Sequence, residues 1–153
     1  MSEPVKTPEQ RKAAALAKRE LQKKGEAEAF AVQEADDIER LVELEGEHGF
    51  ERVLRIDLNG WKPGAGAATL VVARVPFASE KVYKRFEETV SKPKAENLKA
   101  AHALAEACLV YPHRTDDAAL YAATLELAPG LLTHVANQIA NAVQGRAEEE
   151  KKG

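Results

Sequence analysis

Only two stretches of this sequence read as β-strand, and the eight residues between them are too few for a crossover helix. The first, Glu51 to Leu58, alternates: Leu54, Ile56 and Leu58 share one face, Arg55 and Asp57 the other, the period of a half-buried strand. The second, Ala67 to Val75, is a near-continuous apolar run that stops at Pro76. The connector, Asn59-Gly60-Trp61-Lys62-Pro63-Gly64-Ala65-Gly66, is made of turn-forming residues. Parallel strands need a connection of about a dozen residues or more, so the pair is expected as an antiparallel hairpin with a broad tip. A lone hairpin is marginal in water, so it must lie against helices or extend another sheet.

Everything else reads as helix. Ser79 is a plausible cap for a helix from Glu80 to about Val90, with Val82, Phe86 and Val90 on one face. A second, from Lys94 to about Val110, carries Leu98, Ala101, Ala105, Cys108 and Leu109, and Tyr111-Pro112 ends it. Thr115 or Asp116 caps a third to about Leu127, with Leu120, Thr124 and Leu127 inward. The last has the cleanest stripe (Leu132, Val135, Ala136, Ile139, Ala140, Val143), with Gly145 as its expected stop and 146–153 as a charged tail. The expected fold is mainly α (α+β): a charged helical arm over 1–47, then one hairpin and about four helices over 48–145.

The arm is divided by charge. From Arg11 to Lys24 six bases (Arg11, Lys12, Lys18, Arg19, Lys23, Lys24) face one acid, Glu20; from Glu26 to Glu47 nine acids face one base, Arg40. Gly25 stands at the switch. In the acidic half Ala27, Ala31, Ala35, Ile38 and Val42 recur at helical spacing, widened by Phe30 and Leu41, a stripe expected to pack on something. As one helix the arrangement is electrostatically backwards, because bases at the N-terminus and acids at the C-terminus both oppose the dipole. Gly25 adds about 1 kcal/mol against continuity. Two readings follow: a solvated helix with a fraying basic front, or basic and acidic halves that pair by folding back or between chains.

Composition excludes several classes. At 44% hydrophobic and 31% charged the 153 residues can build a core. A net charge of −3 disfavours a general grip on nucleic acid or anionic lipid. The longest apolar runs, such as Leu70 to Ala73, fall far short of the roughly 20 residues that cross a bilayer, so no membrane is expected as partner. Met1-Ser2-Glu3-Pro4 lacks the apolar stretch of a secretion signal, which points to a cytoplasm. One cysteine, Cys108, leaves no internal disulfide and no multi-cysteine metal site.

No constellation of catalytic residues assembles, so no enzyme, catalytic residue, metal site or cofactor is expected. Cys108 lies on an apolar stripe near a helix C-terminus, where the dipole disfavours a thiolate, and is expected as a buried structural thiol. His102, Cys108 and His113 together would make only an unspecific metal set. The neighbouring carboxylates Asp116-Asp117 and Glu87-Glu88 diverge by about 100° on a helix. The glycines of the connector open onto no helix and no Walker-type lysine follows. The residues that suggest contacts are Trp61, the sole Trp, as an anchor in the hairpin tip, together with Phe30, Arg11, Lys12, Lys18 and Arg19 of the arm.

The C-terminal two thirds carry a recognisable succession. Val71-Val72-Ala73-Arg74-Val75-Pro76 is followed by Tyr83-Lys84-Arg85-Phe86, then Ala107-Cys108-Leu109-Val110-Tyr111-Pro112, Leu120-Tyr121-Ala122-Ala123, Ala128-Pro129-Gly130-Leu131-Leu132 and Val135-Ala136-Asn137-Gln138-Ile139. Over roughly residues 50–145 this resembles the tail assembly chaperones of long-tailed bacteriophages. The resemblance implies a non-enzymatic chaperone in the infected bacterial cytoplasm. It would bind the tape measure protein, help tail tube protein polymerise around it, and bring no catalytic or metal residue. Its long, Gly-rich connector sets this chain apart from that pattern. Other readings remain at this point: a small helical DNA-binding adaptor that uses the basic arm, a virion structural protein of the connector or tail-completion kind, and, more weakly, a metal-dependent enzyme using His102, Cys108 and His113. Self-association is compatible with each of them.

Overall fold

A computed structural model of the chain describes residues 5–58 and 66–152, with side chains through residue 145. Its first element is one helix, α1 (Pro8–His48), 41 residues and so about 60 Å long. Thr7 starts it with a capping box: its Oγ1 accepts the Gln10 N–H at 3.2 Å, and the Gln10 side chain accepts the Thr7 N–H at 3.0 Å. Gly49, at φ 89°, ends it, a conformation that glycine adopts without strain. The helix passes through Gly25 without a break, so its halves do not fold back on each other, and of the two pairing routes only the one between chains is left.

The face of α1 that packs is not the expected one. Asp37, Leu41 and Leu44 are buried, with Gln33 and Arg40 half-buried, whereas Ala27, Ala31, Ala35, Ile38 and Val42 face solvent. Leu41, at the edge of the expected stripe, is buried as expected, but the packed face turns from it towards Leu44 and Asp37, whose carboxylate finds its donors on that side.

A short 3-10 turn (Phe50–Arg52) leads into β1 (Val53–Asp57), which pairs antiparallel with β2 (Leu70–Arg74), Arg55 opposite Val72 and Ile56 opposite Val71. The expected hairpin is present, with strands a few residues shorter than the apolar pattern. It is not alone. Leu109–Tyr111, read from sequence as a helix end, form a third strand, β3, antiparallel to β2 with a bulge at Val72/Ala73. Tyr111 precedes Pro112 and is thereby kept out of the α region. Leu-Val-Tyr also suits a pleated surface, and the far edge of β2 needs a partner for its backbone.

Being central, β2 is covered on both faces, which accounts for its unbroken apolar run. Val71 and Ala73 join the main core with Ile56, Tyr83, Leu104, Cys108 and Ile139. Leu70 and Val72 join a smaller core on the opposite face with Leu41, Leu44 and Tyr111.

The remaining helices are α2 (Lys81–Glu88), α3 (Lys94–Cys108), α4 (Ala118–Leu127) and α5 (Leu131–Lys152). With five α-helices beside a three-stranded antiparallel sheet among the described residues, the fold is mainly α (α+β). Its details depart from expectation at helix ends. Glu80, not Ser79, stands at the start of α2, and the helix ends before Val90, which is exposed. Asp117 precedes α4, and Leu127 is 44% exposed while Thr124 is buried. α5 runs through Gly145 to Lys152. A lone glycine costs only about 1 kcal/mol in a helix, and the helix formers Arg146, Ala147 and Glu148 follow it. Val135, Ala136 and Ile139 are fully buried as expected, but Leu131 takes the innermost place and Leu132 is half-buried.

Candidate interaction surface

The arm is fixed to the body by one buried carboxylate. Asp37 is fully buried and satisfied from three directions. Its Oδ2 accepts the Thr69 N–H and the Thr69 hydroxyl, both at 2.7 Å. Its Oδ1 accepts the Gln33 side-chain amide at 2.8 Å and the Tyr111 hydroxyl. Burial, and then the bond to Asp37, push the Tyr111 phenol far above its ordinary value, so Tyr111 acts here as a fixed donor.

The arrangement follows from the chain entering β2. Thr69 gives its carbonyl to Leu58 N–H at 3.0 Å, which leaves its own N–H for Asp37. The Ala68 N–H goes the other way, to Thr124 Oγ1 of α4 at 2.9 Å. Residues 67–69 can therefore be buried without being strand, and among the described residues no buried side-chain nitrogen or oxygen lacks a partner. Sequence reasoning missed Asp37 because it sits among nine acids. The available signal was Gln33, Asp37, Leu41 and Leu44 sharing one helical face, the only leucines of the acidic half among them.

Beyond this clasp the arm stands clear of the body: every residue from Val5 to Val32 is exposed. Arg11, Lys12, Lys18 and Arg19 are spread along this free length, and no ion pair among the described residues involves them. Phe30 lies on it at 36% exposure, with Leu16, Leu21 and Val32 more exposed still. The arm candidates thus share one projecting helix, and Trp61 lies outside the described residues.

The side chains suspected of chemistry are engaged structurally. Cys108 is fully buried, and burial pushes its thiol up to about 11, the reverse of what a nucleophilic thiolate requires. His113 Nδ1 lies 2.9 Å from the Thr115 hydroxyl and 3.3 Å from the backbone N–H groups of Thr115 and Asp116, while the His113 N–H goes to Asp117 at 2.9 Å. His102 Nε2 faces the Thr133 hydroxyl at 3.3 Å. Among the described residues no three His, Cys, Asp or Glu side chains converge as a metal site, and no helix is long and apolar enough to cross a membrane.

Arg74, at the end of β2, reaches Glu80 at 2.8 Å, and the Glu80 carboxylate also accepts the Phe77 N–H at 3.4 Å. Burial raises the Glu80 pKa, but these bonds and the Arg74 charge together outweigh it and hold the carboxyl below the ordinary range. A groove of about 360 Å³ separates α2 from α3, lined by Val82, Arg85, Thr89, Glu96, Ala100 and others. Compared with protein-family models, with curated proteins and with solved structures, the chain matches none of them.

Proposed function

We propose that this chain is a non-enzymatic assembly chaperone of the kind that serves phage tails. It would hold the tape measure protein soluble in the cytoplasm of an infected bacterium while tail tube subunits assemble around it. The observation that carries the reading is the free length of α1, where Leu16, Leu21, Phe30 and Val32 are presented to solvent on a helix anchored at its far end by Asp37. An exposed helix with apolar side chains on two sides, Leu16 and Phe30 on one and Leu21 and Val32 on the other, offers contacts to a long helical client. The succession of motifs from Arg74-Val75-Pro76 through Tyr111-Pro112 to Pro129-Gly130-Leu131 supports the same reading by resemblance. Co-expression with the tape measure protein encoded nearest its gene tests it. Soluble, co-purifying client, lost when only residues 1–32 are removed, is the expected result; a client equally insoluble with and without this chain would overturn it.

The unpaired bases of the arm favour one second reading, a DNA-binding adaptor. It requires duplex DNA binding that weakens steeply with salt. The acidic half of the same helix opposes it.

A further inference from the structure

The charge division of α1 is unfavourable within one helix and favourable between two. Because the helix is continuous, its basic half cannot reach its own acidic half. It stands in solvent with bases at the positive end of its dipole, a glycine at mid-length and, among the described residues, no buried side chain before Gln33. A second α1 laid alongside in the opposite direction reverses each of these signs. Its acidic half meets the basic half, and the two dipoles run antiparallel.

The exposed face of the helix fits such a neighbour. Ala27, Ala31, Ala35, Ile38 and Val42 form a solvent-facing stripe on a different side from Asp37, Leu41 and Leu44, which hold the body. At the same helical spacing the stripe continues backward through Lys24, Glu20, Ala17 and Ala13, with Glu20 and Lys24 four apart as an opposite-charge pair on it. Small side chains let two helices approach closely. We propose that this face of α1 pairs antiparallel with α1 of a second copy of the chain, about a two-fold axis near Ala27. In this register Ala13 lies against Val42 and Ala17 against Ile38, while Lys23 of each copy lies beside Glu34 of the other on the same flank of the pair. Both members of each charged pair are exposed and so free to meet. The inference concerns the chain alone and stands apart from the chaperone reading: its failure leaves rescue of the client untouched, and the reverse.

The test uses the full chain. Light scattering after gel filtration is expected to give a dimer at low salt that dissociates at about 1 M salt, where charges more than roughly 3 Å apart are screened. Lys23→Glu, which acts twice in a two-fold pair, is expected to weaken the dimer at least about tenfold, and Lys23→Glu with Glu34→Lys to restore it. Cys108 is fully buried and gives a silent background for cross-linking. Chains carrying Ala13→Cys alone or Val42→Cys alone are expected to stay uncross-linked under mild oxidation, and a mixture of the two to form a covalent dimer. A monomer at low salt, cross-linking of either variant alone, or a dimer indifferent to the Lys23→Glu reversal would each overturn the proposal.

Discussion

Asp37 shows how much one side chain can hold. It joins α1, the approach to β2 and the end of β3, through partners as far as 74 residues away in the chain. Asp37→Ala leaves the Tyr111 hydroxyl and the Thr69 N–H buried without acceptors, at about 1–3 kcal/mol each. A loss of about 3 kcal/mol or more in urea denaturation is expected, with faster hydrogen exchange over residues 33–48. Tyr111→Phe removes one donor and leaves three, so about 2 kcal/mol is expected, and Asp37→Ala should be the worse of the two. Cys108 makes the complementary case. Its burial, and a thiol pushed up to about 11, predict that maleimide leaves native protein unlabelled at neutral pH and labels it only after unfolding.

At the scale of elements, helix ends were the least legible. Ser79 looked like a cap, but Glu80 holds that place because Arg74 comes within 2.8 Å of it from the neighbouring strand. The pairing sets an acid dependence. The Glu80 carboxyl titrates below its ordinary 4.5 in the folded protein, so its contribution to stability is complete above that value. It is lost as pH falls through the lower folded value. Glu80→Gln should flatten the acid side of the stability curve there and leave neutral behaviour nearly parallel to the parent. Gly25 and Gly145 lie inside helices, and a Cβ at either would meet nothing within 4 Å. Replacing each by Ala is expected to favour the helix by about 1 kcal/mol. For Gly25 this should appear as slower exchange of arm amides rather than a higher global midpoint, since every described residue before Gln33 is exposed.

The whole molecule is a sheet with a core on each side, and the two cores are unequal. The larger is closed by α2, α3 and α5; the smaller, around Leu70, Val72 and Tyr111, is closed by Leu41 and Leu44 of the arm. Removing residues 1–24 is therefore expected to leave the denaturation midpoint unchanged. Removing 1–47 uncovers that second core and strands Thr69 and Tyr111, and should lower the midpoint sharply or abolish cooperative unfolding.

Much of this was written locally. The hairpin followed from alternation at Leu54, Ile56 and Leu58 and a connector too short to cross over; the burial of Val135, Ile139 and Cys108 followed from helical spacing. Such patterns depend on neighbours a few positions away, and the sequence by itself determined them. Only the tertiary structure decided which face of α1 is buried, that Leu109–Tyr111 are strand, and that one of nine acids is an anchor. Each of these turns on a partner distant in the chain: Thr69 and Tyr111 for Asp37, and the open edge of β2 for β3. A carboxylate among carboxylates carries no local mark of burial; its donors are supplied by residues brought to it when the chain closes.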